Sequence, residues 1–131
     1  MKAEELRIGN LANENDIGVI EIKSIEDGFC WVSKVKNNAH YHLDVKQINP
    51  IHLTEEWLLR FGFEKEGYGF KEYWHLNDFQ IEVHGDRFPV RIWGGESAPH
   101  LTQFIGHKTK HVHQLQNLYF ALTGEELIIK D

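Results

Sequence analysis

One cysteine, Cys30, in 131 residues leaves no internal disulfide to staple the chain, and a thiol between Phe29 and Trp31 suits a reducing compartment, with the cytoplasm as the default. Long apolar runs are missing as well. No stretch approaches the roughly 18 residues of a membrane-spanning helix, and Met1-Lys2-Ala3-Glu4-Glu5 opens without the apolar segment of a signal peptide. The expectation is a cytoplasmic protein without a membrane partner. Positive charge is scarce: 14 Lys and Arg stand against 20 Asp and Glu, a net charge of -6. Sequence-independent binding to phosphate backbones needs clustered cations, so direct nucleic-acid binding is disfavoured. The acidity is too mild, and too mixed with lysine, to mimic polyanionic DNA; it favours solubility.

Complete catalytic motifs are also lacking. The Gly94-Gly95 and Gly67-Tyr68-Gly69 sequences do not lead into Lys-Ser or Lys-Thr at a helix start, so they read as turns rather than phosphate loops. Ser33 and Ser97 have no nucleophile-elbow context, and Cys30 between two aromatics reads as a small buried hydrophobe rather than a nucleophile. Nine histidines invite a metal hypothesis. His40 and His42 share one face of an expected strand, and His107 and His111 would share a helix face if the closing helix began early, so the two pairs could provide four ligands. Neither pair carries the flanking acid of a catalytic zinc motif, and His111 falls in the apolar arc of the helix, where a hydrogen-bonded core histidine is the simpler account. No catalytic residue, metal ligand or cofactor is assigned; a histidine-dependent metal enzyme remains the alternative from another class.

What is present is core-forming material. The chain is 41% hydrophobic and 12% aromatic, enough to offset chain entropy in a single domain over residues 1–131. Alternating apolar residues in Ile17–Ile22 and Phe29–Val35, separated by Glu26-Asp27-Gly28, predict a hairpin, and His40-Tyr41-His42-Leu43 a further strand, with Leu6-Arg7-Ile8 a candidate first one. Thr54 through Gly62 reads as a short capped helix, with Phe63 packing back on its last turn. The segments 69–74, 79–83 and 88–93 read as a three-stranded meander, and the stretch through Pro99 and Gly106 fits a loop or a short helix. The fold class is α+β: small antiparallel sheets, or a partly open barrel, with two helices.

The second helix is expected over Lys110 to Leu122, capped by Thr109 and ended by Gly124, with 127–129 adding an edge strand. At about 100° per residue, Val112, Leu115, Leu118, Tyr119 and Leu122 share an arc of roughly 120° and form the expected buried stripe. His113, Gln116, Asn117 and Phe120 fall on the other side. An aromatic there has two readings, a second packing layer or a partner surface. On the second reading His113, Gln116 and Phe120 are the candidate contact residues.

Three segments carry a resemblance: Glu5-Leu6-Arg7-Ile8-Gly9-Asn10-Leu11, the middle Pro50-Ile51-His52-Leu53-Thr54-Glu55-Glu56-Trp57-Leu58-Leu59-Arg60-Phe61-Gly62-Phe63, and the closing run from Val112 to Leu127. Together they resemble a family of short phage and prophage proteins. The stretch from His84 to Lys110 departs from that pattern. The resemblance supplies no active-site residues. Phage proteins of this size often bind and disable a host defence protein, and an anti-CRISPR inhibitor of a type VI-B RNA-guided nuclease is of similar size and type. The resemblance therefore implies a non-enzymatic inhibitor in the cytoplasm of a bacterial host cell, with a CRISPR effector or its RNA complex as partner. A small structural prophage protein is the other role it allows.

Overall fold

A computed structural model of the chain describes residues 1–68, 71–77, 79–82, 88, 90–92, 103–105 and 109–130. It is an α+β fold with two antiparallel sheets, neither closed into a barrel. Contacts gather into two compact units where the sequence suggests one core: Met1–His52 with His111–Glu126, and Leu53–Lys110 with Leu127–Asp131.

The first unit contains the strands β1 (Leu11–Glu14), β2 (Gly18–Glu26), β3 (Phe29–Lys34) and β4 (His40–Asp44) in consecutive order. The expected hairpin is β2–β3. Its turn residues Asp27 and Gly28 both have positive φ, 50° and 79°, as a tight two-residue hairpin turn requires. In β2 the apolar positions run Ile20, Ile22, Ile25, which breaks a period of two. A bulge accounts for the slip: Ile22 pairs with Val32 but Ser24 with Trp31, leaving Lys23 as the extra residue. Ile22 and Ile25 can then face one way together, while Ser24 and Glu26 share the face of Trp31 and Phe29. Ala12, Ile20, Ile22, Cys30, Val32, Leu43 and Ile48 form the core on the inner side, with Ile25 packed against it.

Leu6-Arg7-Ile8 is not a strand, contrary to its apolar spacing. Arg7 N–H donates to the Asn10 side chain at 2.7 Å, Asn10 N–H returns to Arg7 O at 3.0 Å, and Gly9 turns the chain at φ 96°. This local loop postpones the first strand to Leu11. At the outer edge of β1, Asn13 and Asn49 exchange backbone hydrogen bonds of 2.9 and 2.7 Å, which protects an otherwise open strand edge.

The closing helix, α2, spans Val112–Thr123 rather than starting at Lys110, and His111 rather than Thr109 precedes it. Extended pairing holds the residues before it: Leu53 N–H donates to Lys110 O, and His111 bridges to His52. Gly124, at φ 75°, ends it as expected. The buried face differs more. Val112, Leu115 and Tyr119 are buried, but Leu122 is exposed and Leu118 only half-buried, while His113 and Gln116 are buried in their place. The buried arc is rotated by roughly 80° from the purely apolar one.

Hydrogen bonding explains the rotation. Gln116 Oε1 accepts from Leu11 N–H at 2.7 Å and its Nε2 donates to Gly9 O at 3.2 Å, so the side-chain amide pairs with main chain as another strand would. Asn117 adds to this clamp: its Oδ1 accepts from Asn10 Nδ2 at 2.8 Å and Arg7 Nη1 at 2.9 Å, and its Nδ2 donates to Glu5 O at 3.1 Å. Buried backbone groups must be paired, and here an amide on α2 does the pairing.

The second unit holds α1 (Glu55–Arg60), then β5 (Glu64–Tyr68), β6 (Lys71–Leu76), β7 (Phe79–Glu82), β8 (Val90–Ile92) and β9 (Gln103–Ile105), sheet order again consecutive. Thr54 caps α1 by accepting from Trp57 N–H at 3.4 Å. Gly62 N–H to Leu59 O and Phe63 N–H to Leu58 O, each 3.0 Å, close its end with a buried phenylalanine, as expected. The expected meander is part of a five-stranded sheet. The segment β5 is too polar to show alternation, and β9 lies where the sequence suggests loop or helix; backbone pairing with β6 and β8 makes both into strands. The chain at 127–129 forms no strand: Lys130 N–H donates to Arg60 O at 2.8 Å, so the backbone meets a helix end rather than a sheet edge. The turns expected at 85–87 and 94–95 lie outside the described residues.

Gln116→Leu keeps the side-chain size but strands the Leu11 N–H and Gly9 carbonyl. The expected outcome is destabilisation by about 2–3 kcal/mol, read from urea unfolding of the full chain.

Candidate functional site

Strand alternation gives β3 two apolar faces. Cys30 and Val32 point into the core; Phe29 and Trp31 point out and remain 44% and 50% exposed. On β4, His42 is the direct cross-strand partner of Trp31 and Asp44 that of Phe29. The His42 ring lies 4.7 Å from Trp31 and 5.4 Å from Phe29, nearly parallel to the latter at 19°. His42 thus stacks on Phe29 and lies tilted at 34° against Trp31, and the three rings form one aromatic platform on the outer face of the sheet. On the other side of β3, Ser24 is opposite Trp31 and Glu26 opposite Phe29. Phe29 thus lies between two carboxylates, Glu26 and Asp44, about 10 Å apart across three strands. Asp44 Oδ1 also accepts from Lys46 N–H at 2.9 Å, where it caps the 3-10 turn Val45–Gln47.

The residues favoured by the sequence are distributed differently. His113 and Gln116, expected on an exposed helix face, are 3% and 2% exposed and are corrected to interior positions. Only Phe120 of that trio reaches the surface, 40% exposed, with the Arg7 guanidinium 4.2 Å above its ring and Arg7 paired with Glu126. That contact combines an aromatic face, a cation and a carboxylate. His40 and His42 do share one face of β4, but His42 is engaged in stacking. His107 lies outside the described residues. His111 is 6.2 Å from His52 and 5.7 Å from His113, ring centre to ring centre. Among the described residues no group of three or more His, Cys, Asp or Glu is placed to hold a metal ion. Cys30 is buried and its thiol is pushed up from its ordinary value by desolvation, which suits a packing role.

The second unit has one further polar arrangement. His75 Nε2 lies 2.9 Å from Glu66 Oε1 and 3.8 Å from Glu64 Oε2, and Tyr73 donates to Glu66 Oε2 at 3.1 Å. These side chains share one face of the β5–β6 hairpin, next to an open cleft of about 490 Å³ lined by Gly62, Glu64, His75, Leu76 and Asn77. Two carboxylates beside an imidazole and a tyrosine hydroxyl suit a structural polar cluster that ties β5 to β6.

The sequence did not disclose the Phe29–Trp31–His42 platform, because both phases of Phe29-Cys30-Trp31-Val32 are apolar and alternation alone does not choose the buried one. The available signal was size: Cys30 and Val32 fit a thin sheet core, and two large aromatics at i and i+2 mark the other face. In comparisons with known proteins, no family model, curated protein or solved structure matches the chain.

Burial lowers the affinity of His113 for a proton. Desolvation is the leading cause, His111 and the amino terminus act in the same direction, and Glu5 opposes them. Its Nδ1 is buried without a hydrogen-bond partner among the described residues. The unfolded chain takes up this proton first, so stability is highest above about pH 6.5 and falls as the pH drops through that value towards the lower folded-state value. His113→Leu is expected to flatten this acid-side loss in urea melts between pH 7.5 and 5, values chosen to bracket about 6.5.

Proposed function

We propose that the chain is a non-enzymatic phage-type binding protein that inhibits a host defence protein by occupying it, with an RNA-guided CRISPR effector nuclease as the first target to test. The platform of Phe29, Trp31 and His42 carries this reading. Exposed aromatics on a surface are costly to leave solvated, and rings held on paired strands lose little conformational entropy on binding. Interface energy concentrates in such Trp-centred clusters. The class of partner comes from the resemblance of the three sequence segments to short phage and prophage proteins.

The test is plasmid interference in bacterial cells carrying individual CRISPR types, type VI-B included, with and without the chain. Expression should restore plasmid transformation in one type, and Trp31→Ala should remove most of that effect with unchanged far-UV circular dichroism. A chain that protects no CRISPR type, in cells where it accumulates folded, overturns the reading.

A further inference from the structure

We infer that the outer face of β3 and β4 takes an arginine-bearing basic segment of a partner protein, the guanidinium lying on the Phe29–Trp31–His42 rings and bonding to Glu26 or Asp44. This rests on the reading of the chain as a binding protein and adds the chemistry of what it binds.

The argument begins with what the face offers. Its centre is a cluster of three rings, His42 stacked on Phe29 and tilted against Trp31, and its Phe29 end has a carboxylate on each side. Among the described residues, Glu26 and Asp44 have no lysine or arginine within ion-pair distance. Lys23, at the bulge, is already paired with Glu21. An aromatic platform whose rim carboxylates have no cationic side chain beside them among the described residues, Asp44 still capping its turn, repels a nucleic-acid backbone and attracts a cation. Of the two cationic side chains, arginine fits better. Its flat guanidinium can stack on a ring and still direct N–H groups sideways to a carboxylate, whereas an ammonium is more strongly hydrated and cannot stack.

The chain makes the same arrangement within itself. Arg7 lies 4.2 Å over Phe120 while paired with Glu126, and Arg60 lies 4.4 Å over Trp57. Phe29, with Glu26 and Asp44, repeats the ring and the acid without the arginine. The net charge of -6 would also draw a basic segment towards the chain before contact.

The experiment is calorimetric titration of the full chain with a capped, unstructured peptide of alternating arginine and glycine. Its lysine counterpart and single-stranded oligouridylate serve as comparison ligands. The arginine peptide should bind roughly fivefold or more tightly than the lysine peptide. Trp31→Ala should weaken it by about tenfold. Glu26→Gln, exposed, and Asp44→Asn, half-buried, should also weaken it and reduce its salt dependence. Equal binding of the two peptides, binding indifferent to Trp31→Ala, or preference for oligouridylate overturns the inference. So does sedimentation showing this face closed by a second copy, with a dimer that Trp31→Ala dissociates. The two readings separate in the cellular assay. Loss of inhibition in Trp31→Ala without arginine-peptide binding overturns the arginine site and leaves the defence-inhibitor reading standing. Arginine-peptide binding lost in Trp31→Ala, with no CRISPR type inhibited by the unaltered chain, supports the site and overturns that reading.

Discussion

The first unit depends on a side-chain amide bonded to main chain. Gln116 serves the Leu11 N–H and the Gly9 carbonyl together, and Asn117 gathers the Asn10 amide, the Arg7 guanidinium and the Glu5 carbonyl. The loop over residues 5–11 has backbone groups that no neighbouring strand satisfies. Two adjacent amides on α2 supply the missing partners. Once they face inward, the rotation of the helix is set: Val112, Leu115 and Tyr119 remain buried, His113 is drawn in, and Leu122 is left outside. Phe120, next after Tyr119 and on the His113 side of the helix, meets Arg7 instead of the core. Polar satisfaction outweighs the gain from one more buried leucine, because the Leu11 N–H and the Gly9 carbonyl left unpaired together cost more than one leucine contributes.

A different constraint shapes the exposed side of the same unit. The bulge at Lys23 shifts the phase of β2, so that Ile22 and Ile25 can both serve the core and Glu26 comes level with Phe29. The tight turn at Asp27 and Gly28 then fixes the β2–β3 register. Were Lys23 paired as an ordinary strand residue instead of bulging, unbroken alternation from Ile22 would turn Glu26 to the core face and Phe29 would lose one of its two acidic neighbours. The second acid beside Phe29 therefore follows from the bulge, while the rings and Asp44 follow from the β3–β4 register. The rigidity of the platform comes from the paired backbone of β3 and β4, which holds the rings in place before any partner arrives.

Several elements were legible from residue pattern alone. The β2–β3 hairpin announced itself through Glu26-Asp27-Gly28, α1 through Thr54 and Gly62, and the end of α2 through Gly124, because caps and positive-φ turns are local events whose energetics lie within a few residues. The strands β5 and β9 were not legible. A polar segment such as Glu64-Lys65-Glu66 becomes a strand only because β6 offers it a ladder, and that offer is non-local. His113 and Gln116 were placed outside for a similar reason: a helical wheel weighs apolarity and has no knowledge of the backbone groups awaiting an amide.

What the sequence by itself determined is therefore the α+β class, the capped helix ends and the turn that starts the first sheet, all governed by short-range sterics and hydrogen bonding. The tertiary structure decided which face of each element is buried. Phe29 and Trp31 point outward because Cys30 and Val32 fill the core, and Gln116 points inward because Leu11 and Gly9 need it. Both choices compare two plausible faces of one element, and only the groups brought opposite them by the rest of the chain make one lower in free energy.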